Sequence, residues 1–502
     1  MAVRMRNLLV RKPDAVIWLL AGYFCIQFIV RLLQPHGLRF DESQQAFFSQ
    51  WLTLGYDSQP PLYNWFQSIV VWVFGLSLAT VSAAKNLVLF LVYLSYYKLA
   101  REVLEDKLFA AIATLSLLTI PQLFWEAQRD LTHTVVQLLT INLFLCSVIR
   151  TLKTPSVASY AFVGLALGLG MLSKYNFTLV AVAAIAAVWL HPNGRARIID
   201  RRFLLSIGLA LLIFLPHGLW LLHNLGIASG RTLGIMEQDA PQTMLAKLVQ
   251  GPFKFLRLIV VIMAPTVIIY SIVFGRPFWR SLRSGTVWTR FFEALFVAIA
   301  ILVLVLIVAI GMTSLRDRWL LPFLFLMPIY FCLKMQAVGH RPEDFARRFF
   351  VVPLVMIVLI PAALLVRPNL PTLFGRYEAY NFPYGGFVEQ VVAEEQKTPG
   401  LVMTDGWLQA GNLHLQLPDV PLMSLFFDNM KIGYEWTSDR PILMAWLVTD
   451  SSAALPPQLR EWIVQNLGEQ YTDINVKSTA VPYLRGKPDD KVAFGYAWIY
   501  PK

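Results

Sequence analysis

The stretch Ala15-Val-Ile-Trp-Leu-Leu-Ala-Gly-Tyr-Phe-Cys-Ile-Gln-Phe-Ile-Val30 is apolar almost throughout and follows a cluster of basic residues between positions 4 and 12. That order of charge and apolar run is also the order of a signal peptide. No small-residue cleavage site follows the stretch, however, and many further apolar runs do. It therefore predicts an uncleaved first membrane helix.

The composition extends this interpretation to most of the chain. Of the 502 residues, 57% are hydrophobic and only 15% charged, and the mean hydropathy is +0.56, which is too apolar for a soluble globular protein. The net charge of +12 lies in short clusters between apolar runs, so it indicates membrane topology and no nucleic-acid partner. Cys25, Cys146 and Cys332 lie inside apolar runs without paired spacing, which predicts neither disulfides nor thiolate zinc sites.

Eleven apolar runs are long enough for a helix to cross about 30 Å of hydrocarbon. They cover residues 14–33, 79–100, 107–123, 131–149, 157–173, 177–190, 203–222, 257–275, 291–312, 319–335 and 349–366. A twelfth run, Phe66 to Gly75, is too short to cross and follows a Pro-Pro pair, so it predicts a helix lying at the membrane interface.

Basic residues give the orientation, because Lys and Arg accumulate in cytoplasmic loops. With the N-terminus inside, the inner segments hold roughly twice as many Lys and Arg residues as the outer loops. The odd span count then places the C-terminus outside. We expect a polytopic α-helical membrane protein with a membrane-embedded domain at residues 1–366 and a small soluble periplasmic α/β domain at residues 367–502. Within the latter, Gly400 to Asp405 predicts a strand, and Gly386 to Glu395 and Leu459 to Leu467 predict helices.

The first outer loop carries the first group of chemically interesting residues. Asp41 and Glu42 follow the first span, and a Gln59-Pro60-Pro61-Leu62-Tyr63-Asn64-Trp65 segment leads back to the membrane. A carboxylate held by a rigid loop near a low-dielectric region can accept the proton of a hydroxyl nucleophile. Alternatively, Asp41 and Glu42 cap an interfacial helix running from about Ser43 to Leu54.

Two more polar elements fall on the same predicted face. One is Trp125-Glu126-Ala-Gln-Arg129-Asp130-Leu-Thr-His133 at the start of the fourth span, and the other is Leu172-Ser-Lys174-Tyr175-Asn176. Two acidic sites on one face can share a substrate. Lys174 can meet a phosphate there, or can extend its ammonium from a helix end towards water.

Together these elements resemble the GT-C superfamily of polyprenyl-phosphate-dependent glycosyltransferases. The sequence is most similar to the branch with the aminoarabinose transferases of lipid A and the galacturonosyl transferases of lipopolysaccharide. The resemblance covers roughly the first 225 residues and is weaker afterwards, where Pro216-His217-Gly-Leu-Trp220, Arg318-Trp-Leu-Leu-Pro322 and Ala410-Gly411-Asn412-Leu413 also look familial.

The resemblance implies a role for each matching residue. Asp41 matches the catalytic base or acceptor-orienting aspartate, Glu42 its partner, and Asp130 the second acidic position. Lys174 matches a lysine that faces the donor phosphate, and further phosphate contacts are expected from the long outer loop, with candidates Arg231, Lys247 and Lys254. The remaining candidates for the substrate pocket are Arg129, Gln59, Tyr63, Tyr175, His217 and Arg318.

One position departs from the pattern. Aminoarabinose transferases usually carry a lysine before the Pro-Pro pair, where this chain has Gln59. A neutral amide cannot act as the same counter-ion to a phosphate. This departure favours a sugar-hydroxyl acceptor over a lipid A phosphate, and an alcohol, unlike an ionised phosphate, needs a base such as Asp41.

No cofactor is certain. A divalent metal is a candidate, with Asp41, Asp130 and His133 as its potential ligands, because His133 lies one helical turn after Asp130. If the sugar is a uronate, its carboxylate needs a further cation, for which Arg231, Arg316 and Arg318 are candidates.

We therefore expect an inverting transferase of the bacterial inner membrane with its active site facing the periplasm. It would move a sugar, best interpreted as galacturonic acid, from a polyprenyl-phosphate donor to a lipopolysaccharide core or lipid A acceptor. The alternatives are an aminoarabinose or other hexose transferase of the same family, an O-antigen ligase and a membrane transporter. A transporter would place ionisable groups near the membrane midplane in repeated halves, and no repeat is visible.

Overall fold

A computed structural model of the protein describes residues 2–230, 244–310, 315–448 and 454–502, without the side chains of residues 2, 244–248 and 310. The chain forms two compact units. The first unit comprises residues 1–25, 54–63 and 86–360, and the second comprises residues 26–53, 64–85 and 361–502.

The α-helices are numbered here in chain order. They are α1 Ala2–Arg11, α2 Val16–Leu33, α3 Phe40–Phe48, α4 Leu62–Phe74, α5 Leu78–Val103, α6 Lys107–Leu115, α7 Ala127–Arg129, α8 Thr132–Lys153, α9 Val157–Ser173, α10 Phe177–Leu190, α11 Gly194–Ile199, α12 Phe203–His223, α13 Met244–Phe274, α14 Arg276–Ser281, α15 Val287–Ile310, α16 Asp317–Leu324, α17 Met327–Ala337, α18 Glu343–Phe349, α19 Val351–Asn369, α20 Tyr384–Glu395, α21 Trp407–Gln416 and α22 Pro457–Asn466.

In the first unit, α9 and α12 pack closely because glycines replace side chains at their contact. A Cβ atom on Gly164 would lie 2.5 Å from the carbonyl oxygen of Ser206, and one on Gly168 would lie 2.8 Å from Cβ of Ile213. This G-x-x-x-G spacing lets helix backbones approach where lipid supplies no hydrophobic driving force. The contact fixes α9, and Lys174 follows directly at its C-terminal end.

A second feature of the first unit is a sharply broken helix. The segments Lys107–Thr119 and Gln122–Arg129 meet at 74°, and Gln122–Glu126 forms a π-helical turn. Beyond the break, Leu131 has a left-handed backbone with φ of 72°, a conformation that costs a residue with a Cβ about 1 kcal/mol or more. The break changes the chain direction immediately before α8.

The second unit contains a five-stranded sheet of order β2-β1-β3-β5-β4. Its strands are β1 Leu401–Thr404, β2 Leu422–Ser424, β3 Ile442–Leu447, β4 Lys477–Pro482 and β5 Lys491–Ile499. β1 pairs in parallel with β2 and β3, whereas β5 runs antiparallel to β3 and β4. Parallel neighbours need a crossover connection, and α21 supplies it between β1 and β2. Leu459 and Ile463 of α22 pack on the buried side chains of β1 and β3.

The predicted membrane character is confirmed at the level of individual helices. Within the described residues, eight helices are long and apolar enough to cross a membrane, or nine if the bent pair Lys107–Arg129 counts as one span. The two other predicted spans coincide with the shorter apolar helices Val157–Ser173 and Phe177–Leu190. The count of eleven and the orientation stay predictions. Helix α4, with 13 residues, is only about 20 Å long, in keeping with the predicted short interfacial helix.

The predicted elements of the C-terminal region are also confirmed: β1, α20 and α22 coincide with the predicted strand and helices. The first-loop helix differs from its prediction. It runs from Phe40 to Phe48 rather than from Ser43 to Leu54, so Asp41 and Glu42 lie within its first turn. Acidic side chains are favourable there, because the helix dipole presents its positive end.

Candidate active site

Glu42 is buried in the second unit and paired with Arg31. The Arg31 guanidinium donates from Nε and Nη2 to the two Glu42 carboxylate oxygens at 3.2 and 3.1 Å, and their side chains are 6% and 2% exposed. Burial alone would raise the pKa of Glu42, but the positive charges of Arg31 and Lys85, with the Arg31 hydrogen bonds, lower it overall. Glu42 is therefore an ionised anchor.

Arg31 also organises the backbone between α2 and α3. It donates to the carbonyl oxygens of Pro35 at 3.3 Å and Gly37 at 2.8 Å, and its guanidinium lies 4.5 Å from the Tyr380 ring centroid. Asp41, by contrast, is only partly buried. The two adjacent carboxylates thus differ in environment, and of the two only Asp41 is partly exposed.

The second predicted acidic residue, Asp130, lies in the first unit at the end of the broken helix. Its backbone is extended, its N–H donates to the Glu126 carbonyl at 2.7 Å, and the left-handed Leu131 follows it. Strained backbone of this kind concentrates at functional sites. The neighbouring Arg129 is 9% exposed, lies 3.4 Å from Glu126 and covers the Trp125 ring.

Lys174 and its neighbours are held by a row of side chains on α8. Lys174 donates to the Thr134 hydroxyl at 2.8 Å, Gln137 donates to Asn176 at 2.7 Å, and Thr140 donates to Ser173 at 3.2 Å. The three α8 residues recur at every third position, so they share one helix face. The Asn176 amide also donates to the Trp319 carbonyl at 3.3 Å. Lys174, 9% exposed, is thereby fixed rather than extended into water.

A cavity of about 160 Å³ opens beside Lys174 in the first unit. One part of its wall is polar and the other apolar. The polar part consists of Ser58, Gln59, Lys174, Tyr175 and Asn176, and the rest of Leu179, Val303, Leu306, Leu315, Trp319, Leu320 and Phe323. Burial raises the pKa of Tyr175 to about 12, so its hydroxyl stays protonated at neutral pH. A cationic group beside an apolar wall suits an amphiphilic anion.

His217 links the Tyr175 side chain to the backbone at Leu54. One ring nitrogen, Nδ1, lies 2.8 Å from the Leu54 carbonyl oxygen and the other, Nε2, lies 3.2 Å from the Tyr175 hydroxyl. The Trp220 ring packs so closely on Gly55 that a Cβ atom on this glycine would lie 2.3 Å from the ring. His217 is fully buried and supports Tyr175.

The other predicted residues have mixed outcomes. Tyr63 is buried, with its ring 6.1 Å from that of His133. Arg318 is partly buried next to Asp317, whose carboxylate accepts a hydrogen bond from Gln122 at 3.2 Å. Lys254 lies on α13, partly buried, whereas Arg231 and the Lys247 side chain lie outside the described residues. Across the described parts of the chain, no group of three His, Cys, Asp or Glu side chains is arranged to hold a metal, and the metal site stays a prediction.

Several buried polar residues received no role in the sequence analysis, although Asn64 and Asn412 stand in motifs quoted there. Lys85, 2% exposed on the apolar helix α5, is a charge whose field reaches Glu42; an isolated lysine inside an apolar run is a signal that could have found it. Asn64 and Gln67 of α4 are 1% and 0% exposed, and their amides lack partners among the described residues. Asn412 of α21 contacts the first loop.

Comparison with known proteins explains this combination of elements. The family model for dolichyl-phosphate-mannose-protein mannosyltransferases matches residues 58–220. The crystal structure of ArnT from Cupriavidus metallidurans bound to undecaprenyl phosphate has a TM-score of 0.59 and 15% identity over 96% of this chain and 98% of that one. The fold is therefore that of a membrane-embedded glycosyltransferase of the GT-C type.

Two relatives are similar over nearly their whole length. Lipopolysaccharide core galacturonosyltransferase RgtB from Rhizobium johnstonii is 42% identical over 96% of each chain. RgtA of the same organism, with the same description, is 38% identical over 96% of this chain and 97% of its own. The chain thus belongs to the polyprenyl-phosphate-dependent glycosyltransferases of the GT-C superfamily, in the branch of the lipopolysaccharide core galacturonosyltransferases. The predicted family is confirmed.

Proposed function

We propose that the protein transfers galacturonic acid from a polyprenyl-phosphate donor to the core of lipopolysaccharide. The observation that carries this proposal is the 42% identity to RgtB over 96% of both chains. A match of that extent covers nearly the whole of both chains.

The cavity beside Lys174 supports a lipid-phosphate donor. In this proposal the Lys174 ammonium binds the phosphate, and the apolar wall formed by α10, α15 and α16 contacts the first isoprene units. A lysine held by Thr134 at 2.8 Å loses little conformational freedom when it binds an anion, which increases affinity.

Two arginines support a sugar that carries a carboxylate. Arg316 and Arg318 lie within the segment 315–320, of which Leu315, Trp319 and Leu320 line the cavity. Partial burial and the nearby charge of Arg318 lower the pKa of Arg316, so the pair favours an additional anion. A uronate carboxylate suits guanidinium groups, which can bind it through two parallel hydrogen bonds. A neutral hexose offers no carboxylate to this pair of arginines.

Asp41 is proposed as the base. As the acceptor hydroxyl attacks the anomeric carbon, a bond from its oxygen to that carbon forms and the bond from the carbon to the phosphate oxygen breaks. Asp41 takes the hydroxyl proton, and polyprenyl phosphate leaves as an anion that Lys174 stabilises. Attack opposite the leaving group inverts the configuration.

The finer topology belongs to the same proposal. We infer eleven spans, a cytoplasmic N-terminus and a periplasmic C-terminus in the bacterial inner membrane, with residues 1–366 embedded and residues 367–502 periplasmic. The basic clusters between the apolar helices support this orientation. Reporter fusions after Lys153 and after Lys502 should report the cytoplasm and the periplasm, respectively; the reverse pattern would contradict it.

The function is tested with membranes that contain the protein, labelled polyprenyl-phosphate sugars and a panel of lipopolysaccharide acceptors. We expect transfer of galacturonic acid to a core sugar, and loss of transfer in the Asp41→Asn variant at unchanged protein level. Transfer of aminoarabinose or a neutral hexose alone would overturn the sugar assignment. Transfer to a lipid A phosphate alone would overturn the acceptor assignment.

A further inference from the structure

The short helix that carries Asp41 lies directly on a helix of the sheet region, and both belong to the second unit. Gly411 of α21 faces the backbone of α3 so closely that a Cβ on it would lie 1.8 Å from the Ser43 carbonyl oxygen. No side chain fits at that distance. The contact therefore requires glycine, although the helix interior would otherwise favour alanine.

Asn412, the next residue, is fully buried and binds the chain just before α3. Its Oδ1 accepts from the Leu38 N–H at 2.7 Å, and its Nδ2 donates to the carbonyl oxygens of Leu38 at 3.1 Å and Leu408 at 2.7 Å. The side-chain amide thus satisfies both backbone polar groups of the buried residue Leu38, as a neighbouring strand would. Leu38 is three residues before Asp41.

Two more polar contacts continue along α3. The Ser43 hydroxyl lies 2.8 Å from the Leu408 carbonyl and 3.0 Å from that of Trp407. Beyond the helix, Gln50 accepts from the Leu422 N–H at 2.9 Å and donates to its carbonyl at 3.2 Å. The contacts therefore attach the chain to α21 and β2 before, within and after the helix.

Helix α3 needs such support. It has only nine residues, and isolated helices shorter than about 12 to 15 residues are marginal in water. Its orientation is therefore set by tertiary contacts. A catalytic group displaced by about 1 Å can lose about a hundredfold in rate, so the stiffness of this support bears directly on turnover.

We infer that α21 is a platform that positions Asp41, with Gly411 and Asn412 as positioning residues for the transfer reaction. The inference rests on the proposed role of Asp41 as base. It assigns the C-terminal region a part in catalysis through the position of Asp41.

The test compares two glycine substitutions in the second unit. Gly411→Ala places a methyl group against the Ser43 carbonyl, whereas Gly433→Ala is the matched control, because nothing lies within 4 Å of a Cβ there. We expect Gly411→Ala to lower kcat by about tenfold or more with little change in the donor KM, and Gly433→Ala to behave as wild type. Wild-type kcat in Gly411→Ala would overturn the inference.

Coupling to Asp41 separates positioning from general damage. Residues that act as one unit are strongly non-additive, so Gly411→Ala should not lower the small residual rate of Asp41→Asn any further. Multiplied losses, measured at high enzyme concentration, would overturn the inference. If Gly411→Ala fails to accumulate, Gln50→Leu and the milder Gln50→Glu replace it. We expect kcat to fall in both variants, and further in Gln50→Leu. Wild-type kcat in both variants would contradict the inference. Full turnover in Asp41→Asn alone would refute the proposed base instead, which keeps the two failures distinct.

Discussion

At the scale of single residues, two adjacent carboxylates lie in different surroundings. Glu42 accepts two hydrogen bonds from the buried Arg31, whereas Asp41 is partly exposed on the same helical turn. The motif predicted that both would take part in catalysis. The resemblance separated them only as base and partner. It could not show that Glu42 pairs with Arg31, because that arginine lies at the end of the preceding span and meets Glu42 only once the loop folds back.

The first prediction contrasts these carboxylates. Asp41→Asn should reduce transfer to a small residual rate while leaving protein level and thermal stability near wild type. Glu42→Gln leaves the Arg31 charge buried without its counter-charge, which typically costs about 3 to 5 kcal/mol, so its main effect should be a lower unfolding temperature and a lower protein level. Thermal unfolding in detergent and turnover per folded enzyme measure both; a stable but inactive Glu42→Gln would show that Glu42 takes part in the chemistry.

The second prediction concerns Lys174. Lys174→Met removes a charge-assisted contact worth about 1.5 to 3 kcal/mol, so it should weaken polyprenyl-phosphate binding by about 10- to 100-fold. The matched control is Lys254→Met, which removes a second candidate lysine on α13. The ligand-induced rise in unfolding temperature reports the affinity. A larger loss in the Lys254 variant would transfer the phosphate contact to that residue.

At the scale of secondary structure elements, periodicity and hydropathy predicted most of the architecture. The apolar runs coincide with helices, and β1, α20 and α22 lie where the sequence placed them. The break of 74° between Thr119 and Gln122 was not predicted, because no local breaker beyond Pro121 signals a π-helical turn. The start of α3 was missed because its stability comes from α21, at a sequence distance of 374 residues between Leu38 and Asn412.

The third prediction uses the amides of α4. Asn64 and Gln67 are buried without hydrogen-bond partners among the residues that the structure describes. A buried polar group in that state costs about 1 to 3 kcal/mol, so Asn64→Leu should raise the unfolding temperature of the substrate-free enzyme. Asn412→Leu, which deletes three hydrogen bonds, should lower it. Destabilisation by Asn64→Leu would mean that ordered water satisfies this amide; lower turnover with higher stability would identify a substrate contact.

At the scale of the whole molecule, composition predicted the class of protein correctly, but the division of the chain into compact units escaped it. Residues 26–53 and 64–85 group with the C-terminal region, although they border the first membrane helices. Charge and hydropathy report solvent or lipid exposure and contain no information about which distant segments pair. Amide hydrogen bonds join Leu38 to Asn412 and Gln50 to Leu422, and single amides are too common in sequences to predict such contacts.

The burial of His414 on α21 predicts that the second unit loses stability in acid. This side chain is 5% exposed, and burial lowers its pKa to about 4, against about 6.5 in the unfolded chain. The neutral form is therefore favoured by folding. The resulting stability is fully present above pH 6.5 and is lost progressively as the pH falls towards 4, to a total of roughly 3 kcal/mol.

The fourth prediction follows from that sign. The unfolding temperature of the wild type should fall between pH 6.5 and 4, and His414→Gln, which cannot titrate, should show a flatter profile. Because His414 lies on the helix that supports α3, turnover should fall with the same midpoint in the wild type and less steeply in the variant. If unfolding temperature and turnover depend on pH in the same way in both proteins, the acid sensitivity comes from other groups, and α21 does not cause the pH response of the enzyme.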